Sequence, residues 1–354
     1  MTNPDLPFAI MLGLGENDTS LYDAIKANAK YAMQMVDGVG SKWGQKLVIC
    51  GSGPSAHGLV NESPRWLADE VWACNAAVPF LMERGVPVTH AVAIDQTPGM
   101  LDDWKRPYPE LDYWVASSIH PRLRDHLLQA GCRLTWFHNF LGIKSPDGWT
   151  GGPHCWWCAH LPEGHAPAAE IGHEYQPMTY ESYLYRTLFP QSLMPPYGLN
   201  VTARALSLAL CLGYTEIRLW GSDCGAIAPS RMPPADDPGY AAWLESVVIH
   251  ASGRTALDIY GPTAAMLESP RICGRQWITR PDMVMTAHQL ALMIQWIPGR
   301  VRIMGDSLPG DLVTEGLDSF TGSRALPKVE DGAVTGMILH PETTARLQLE
   351  AVSK

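Results

Sequence analysis

From Lys46 onward the chain reads as short, mostly apolar runs, each followed by a loop and a stretch of helical spacing. The runs are Lys46–Cys50, Glu70–Cys74, Ala91–Ile94, Tyr113–Ala116, Leu134–Phe137 and Glu216–Trp220. Runs of this kind without strict alternation suit strands buried on both faces, and their interleaving with helices predicts a parallel sheet. The expected fold class is α/β: a Rossmann-like, mostly parallel sheet with helices on both faces and an inserted irregular lid region. Helical spacing also marks Leu21 to Val36, which exits through Gly38 and Gly40, and Pro281 to Ile297. Asn200 is placed to cap a helix over Val201 to Leu212, with Gly213 as its stop, and Arg300 to Met304 reads as a late strand.

This pattern divides the chain into an N-terminal helical appendage over 1–44, a Rossmann-like domain over 45–305 and a tail over 306–354 with a short helix from Pro341 to Val352. Two stretches break the alternation. Residues 142–196 are rich in Gly, Pro, Trp, His and Tyr, and an insertion of that length is expected to be a lid, a specificity loop or a contact surface. A second irregular stretch covers 224–270.

The residues that follow the strands are polar: Ser52 and Ser55, Asn75, Asp95, Ser117 and Ser118, Asn139, then Ser222 and Asp223. In an open parallel sheet the carboxyl ends of the strands share one edge, where ligands bind, so these residues are expected to converge. The first loop is Gly51-Ser52-Gly53-Pro54-Ser55, directly after an apolar strand. Glycine permits the backbone conformations and close approach that let N–H groups point at an anion, and Ser55 can cap the next turn or offer its hydroxyl to a phosphate. The loop has no Lys-Ser/Thr ending, which argues against P-loop ATPase chemistry. It also has no third glycine, and Asn75 stands where a dinucleotide fold would place an acid, which argues against a plain NAD dehydrogenase.

Composition narrows the field further. With 354 residues, 46% hydrophobic content and a formal charge of −10, the chain can bury a large core and is poorly suited to bind nucleic acid. No apolar run reaches the ~18 residues of a membrane span and the start lacks a basic signal region, so a cytoplasmic protein without a membrane partner is expected. Several of the eight cysteines sit inside apolar runs as core fillers. The cluster His154, Cys155, Cys158 and His160 has zinc-like spacing, but no second C-x-x-C pair supports it, and a structural zinc is disfavoured.

Taken together, Gly51-Ser52-Gly53-Pro54-Ser55, Cys74-Asn75, Ile94-Asp95, Gly198-Leu199-Asn200-Val201, Leu212-Gly213-Tyr214 with Ile217, and Gly221-Ser222-Asp223 carry a family resemblance. Over about 45–305 the chain resembles the family joining archaeal 6-hydroxymethylpterin pyrophosphokinase-like proteins with the Maf flagellin glycosyltransferases, and more distantly bacterial CMP-sugar sialyltransferases. The resemblance implies a nucleotide held at the strand ends under an inserted lid, with a nucleotide-sugar or ATP as co-substrate. It implies Gly51, Ser52 and Gly53 along the phosphate and Asn75 on phosphate or sugar oxygens. Gly198 to Asn200 and Gly221 to Asp223 would line the nucleotide.

In the pyrophosphokinase-like branch Asp95 and Asp223 would hold magnesium; equally, they would cap loops or bind a ribose. The sialyltransferases use a histidine base, for which His250 is the candidate here, ahead of His120 and His57. His250 and Asp95 are thus the catalytic candidates, and Ser117 joins the ligand set through its place after a strand. The leading expectation is a glycosyltransferase acting on a hydroxyl acceptor, small or glycan-like, with aromatic residues of the insertion (Trp149, Trp156, Trp157, Tyr175, Tyr180, Tyr183) against the sugar. Magnesium- and ATP-dependent pyrophosphoryl transfer to a pterin-like alcohol, and an inactive binding or assembly component, stay open beside it, as does a homo-oligomer.

Overall fold

The computed structural model describes residues 20–32, 34–36, 38–62, 68–139, 145–146, 148–149, 179–189, 198–227 and 229–315, the side chains of 20, 186, 270 and 296 excepted, and the backbone of 329–330 and 333–334. In chain order the elements begin with α1 (Ser20–Ala29), β1 (Lys46–Cys50), α2 (Ala56–Glu62), β2 (Glu70–Cys74), α3 (Ala77–Met82) and β3 (His90–Ala93). They continue through α4 (Met100–Asp103), β4 (Asp112–Ala116), α5 (Pro121–Gln129), β5 (Arg133–Phe137), α6 (Tyr180–Leu188), α7 (Val201–Leu212) and β6 (Glu216–Trp220). Then come β7 (Ala226–Ile227), α8 (Tyr240–Ser246), α9 (Ala256–Tyr260), β8 (Leu267–Ile272), β9 (Arg275–Thr279), α10 (Pro281–Trp296), β10 (Val301–Ile303) and α11 (Leu308–Glu315). A two-residue ladder, β11 (Val329–Glu330) with β12 (Ala333–Val334), ends the described chain.

Seven strands form one parallel sheet in the order β10-β6-β1-β2-β3-β4-β5. β1 and β2 are buried almost throughout, as strands covered on both faces must be. The chain runs outward from β1 to β5 and then returns to place β6 on the other side of β1, so the direction of winding reverses between β1 and β6. The expected α/β Rossmann-like architecture is the observed one. Asn200 caps α7 by accepting from Ala203 N–H at 2.9 Å, and Gly213 ends it at φ +93°.

Two expectations are corrected. The helix expected over Leu21 to Val36 stops at Ala29, because the following residues extend the sheet edge. Gln34 O accepts from Trp136 N–H (2.9 Å), Val36 N–H donates to Trp136 O (2.7 Å), and Val36 is buried in the sheet core. The expected irregular stretch 224–270 contains α8, α9 and strands of a three-stranded antiparallel sheet, β7-β9-β8. This unit has a core of its own around Tyr240, Trp243, Leu244, Val247, Met266 and Ile278. Its strands are hard to read because β8 carries Glu268, Ser269, Pro270 and Arg271 across a register shift.

The described part of 1–44 packs on the domain. Leu21, Tyr22 and Ile25 meet Leu184, Tyr185 and Phe189 of α6, and Asn28 Nδ2 donates to Ser117 O and Ile119 O. Among the described residues, no helix is long and apolar enough to cross a membrane. The cluster His154, Cys155, Cys158 and His160, the aromatics Trp156, Trp157 and Tyr175, and the expected helix Pro341 to Val352 lie outside the described residues.

At the centre of the sheet the loops after β1 and β6 touch backbone to backbone. A Cβ on Gly51 would stand 2.4 Å from Gly221 O, and one on Gly221, whose φ is +61°, would stand 2.1 Å from Gly51 O. Gly221→Ala combines a left-handed backbone with a backbone clash and is expected to cost about 3 kcal/mol or more. Gly85→Ala, with a similar φ of +69° and nothing within 4 Å, isolates the backbone part and should cost about 1–2 kcal/mol. Urea denaturation midpoints of the two variants check the difference.

Candidate functional site

The loops after β1 and β6 are tied by side chains as well as by glycine contacts. Ser55 N–H donates to Asp223 Oδ2 (2.8 Å), the Ser55 hydroxyl donates to Asp223 Oδ1, and Gly221 N–H donates to Ser55 Oγ (2.8 Å). Gly51 N–H and Gly53 N–H are spent on Trp220 O (2.8 Å) and Gly221 O (2.9 Å). The glycine loop is therefore not a row of open amides. Its glycines serve the approach of β6, and the amides of Ser52 and Ser222, like that of Asp223, bond nothing among the described residues. The expected phosphate role of Ser55 is corrected accordingly: both of its donors turn inward to Asp223, and it does not line the crevice beside the loop.

That crevice, of about 710 Å³, opens over the carboxyl ends of the strands at the reversal between β1 and β6. It gathers Gly51, Ser52, Gly53, Asn75, Asp95, Asn200, Gly221, Asp223 and His250, all of them expected from the sequence. Ser117, like Ser55, is not among them. It is fully buried behind the crevice, where its hydroxyl meets His138 Nδ1 at 2.7 Å, and it cannot reach a ligand. Asn75 stands at φ +47°, a left-handed conformation uncommon outside glycine. It is held there by Trp104 Nε1–H donating to its carbonyl (2.9 Å), and its Nδ2 donates to Asp95 Oδ2 at 2.7 Å. Its own Oδ1 is buried with no donor among the described residues, as is Asn139 Oδ1 at the end of β5.

α7 begins at this wall. Gly198, Leu199, Asn200, Val201 and Thr202 all line the crevice, so the helix N-terminus, with its positive dipole end, borders this space. Gly198 is required there, since a Cβ would stand 2.4 Å from Arg204 N. Three arginines line the same space. Arg204 is 4% exposed on an otherwise apolar helix, its pKa pushed down to about 10 by burial while the Glu181 carboxylate acts the other way. Arg254 pairs with Asp103 (3.3 Å), and Arg280 pairs with Asp282 (3.0 Å) and lies over the Tyr260 ring.

These cations were missed in the sequence for different reasons. Arg204 left a signal, a charged residue inside the apolar run Val201 to Leu212. Arg254 and Arg280 belong to the unit built on β7-β9-β8, whose strands were not legible.

Comparison with known proteins adds little. No protein-family model matches the chain, and no curated protein matches it. Among solved structures the chain is similar to a Maf glycosyltransferase from Magnetospirillum magneticum AMB-1, at 14% identity and a TM-score of 0.49, over 96% of this chain. This chain spans only 43% of that one.

Two of its acids, Asp95 and Asp223, are disturbed by burial. Burial pushes the Asp223 carboxyl up to about 6 against the pull of its Ser55 hydrogen bonds, and Asp306 adds to the rise. Burial also raises Asp95, opposed by the Asn75 bond and assisted by Asp103. Each Asp223 oxygen already accepts from Ser55, which leaves less lone-pair capacity for a cation than an open carboxylate has. Among the described residues no group of three or more His, Cys, Asp or Glu is arranged around a metal position. For His250, burial first and Arg254 second push the imidazole down to about 4, so it is neutral at pH 7 and weakly basic, unlike the near-neutral base expected from the sequence.

Because the native Asp223 carboxyl binds its proton more tightly than an unfolded one, its contribution to stability falls as pH rises from about 4 to 6. Asp223→Asn lacks this titration. Relative to wild type, the variant is expected to gain about 1–3 kcal/mol between pH 4.5 and pH 7.5, read from chemical denaturation at both pH values.

Proposed function

We propose that the protein is a nucleotide-dependent transferase, a glycosyltransferase that moves a sugar from a nucleotide-sugar donor to a hydroxyl acceptor. The observation that carries this reading is the crevice at the β1/β6 reversal, where a helix N-terminus, two open backbone amides and three arginines border one space of nucleotide size. These donors and positive charges are gathered on one wall of the crevice. They suit phosphate oxygens. The motif resemblance over 45–305 points the same way.

In this reading the phosphate lies against Ser52, Ser222 and the start of α7, within reach of Arg204, Arg254 and Arg280. The buried acceptors Asn75 Oδ1, Asn139 Oδ1 and the Asp95 carboxylate face hydroxyl groups of ribose, sugar or acceptor. His250 takes the proton of the acceptor hydroxyl. The acceptor oxygen then forms its bond to the anomeric carbon, and the bond from that carbon to the phosphate oxygen breaks with its electron pair leaving on the nucleotide. Stabilising that departing charge is the arginines' task.

Thermal shift against CMP, UDP, GDP, ADP and ATP, each with and without magnesium, tests the reading, because a ligand of the folded state raises the melting temperature. A pyrimidine nucleotide at a hundredfold excess over its Kd should stabilise by about 2.7 kcal/mol. Ser52→Trp, which fills the phosphate space, should abolish the shift. A shift seen only with ATP and magnesium would favour pyrophosphoryl transfer, and no shift with any nucleotide would favour a binding or assembly role.

A further inference from the structure

His57, one of the histidines singled out in the sequence, does not line the crevice. It sits exposed on the first turn of α2, with its ring edge-on to the buried Phe80 (centroids 5.1 Å apart, planes at 87°) and its Nε2 2.7 Å from Ala251 O. A carbonyl oxygen can only accept, so Nε2 carries a proton and donates it to Ala251. The amide of that residue is spent on the same stretch of chain: Ala251 N–H donates to Ser52 O at 2.8 Å. Both backbone groups of Ala251 are thus held by the segment that follows β1.

Ala251 belongs to a tight turn between α8 and α9. Gly253 N–H donates to His250 O (2.9 Å), Ile249 N–H donates to Arg254 O (3.2 Å), and Val248 bridges to Thr255 at the base. Ile249, His250 and Arg254 of this turn line the crevice, and Ser52 lines it from the loop after β1. The helices on either side of the turn share the separate core of the β7-β9-β8 unit, whereas Ser52 and His57 belong to the parallel sheet and its first helix. The contact therefore joins two parts of the fold where their walls meet.

We propose that His57 is a positioning residue: through Ala251 it holds the turn carrying His250 and Arg254 against the Ser52 loop, and so sets where the Arg254 guanidinium stands relative to the open Ser52 amide, a role that rests on the nucleotide reading of the crevice. One hydrogen bond, Ala251 to Ser52, would let the turn swivel about it. A second on the adjacent peptide fixes its orientation, and the edge contact with Phe80 holds the imidazole ready to make it. The pairing of Arg254 with Asp103 (3.3 Å) steadies only the far end of the arginine side chain. Two donors from separate parts of the fold grip one phosphate only while their spacing is kept, which is what a supporting contact of this kind supplies.

Two substitutions separate the donor from the ring. His57→Phe keeps an aromatic edge for Phe80 and removes the N–H, while His57→Gln places an amide N–H at a similar reach and removes the ring. Calorimetric titration with CMP and UDP, and with cytidine and uridine, reads the site, and the side-chain nitrogen NMR signals of His57 read the contact. In the neutral ring the proton should be found on Nε2. His57→Phe is expected to bind the better nucleotide about three- to tenfold more weakly with nucleoside affinity unchanged, and His57→Gln to stay within about twofold of wild type. A proton on Nδ1, full nucleotide affinity in His57→Phe, an equal loss in the two variants, or an equal loss for nucleotide and nucleoside overturns the role of His57 and leaves the crevice reading intact. Failure of wild type to bind either nucleotide overturns both.

Discussion

Everything at the centre of this protein depends on two loop ends that meet without side chains between them. Gly51 and Gly221 bring the exits of β1 and β6 into backbone contact, and Asp223 locks the contact by gripping Ser55 from across it. Without that approach the sheet would splay where its winding reverses, and the crevice would have no floor. The arrangement also exhausts much of the glycine loop. Amides that would suit an anion bond the neighbouring loop instead, while the amides of Ser52 and Ser222 stay open among the described residues.

Burial governs the chemistry of the crevice as firmly as it governs the fold. Asp95 and Asp223 are pushed toward their protonated forms, His250 toward its neutral form, and Arg204 is lowered yet remains a cation at pH 7. A guanidinium is charged at any ordinary pH, so the arginines set the sign of the crevice wall. A chain of net charge −10 thereby presents a locally cation-rich wall. Overall charge argued against nucleic acid but said nothing about this space, because charge separation within a fold is set by which residues the strands bring together.

The parallel sheet was legible because its strands are buried on both faces, and such strands must be apolar whatever surrounds them. The residues after those strands were legible too, since the carboxyl ends of parallel strands share an edge by geometry. The antiparallel unit was not. β8 and β9 mix Glu268, Ser269, Arg271, Arg275 and Gln276 with their apolar residues, because one face of a small sheet stays near solvent and its core is borrowed from α8 and α9. Arg254 and Arg280 were hidden with it. The end of α1 was misplaced for a related reason: Met35 and Val36 fit a helical period, but a tertiary contact with Trp136 offered them a sheet edge.

By itself, then, the sequence determined the sheet, the cap of α7 and the set of residues at the strand ends, because burial, capping and strand polarity act over a few neighbouring positions. Only the tertiary structure decided which of those residues face the crevice. Ser55 and Ser117 follow strands as Ser52 does, yet Asp223 takes the first and His138 sequesters the second. Those partners lie 168 and 21 residues away, and whether a hydroxyl is spent on the protein or left for a ligand depends on contacts that no local pattern encodes.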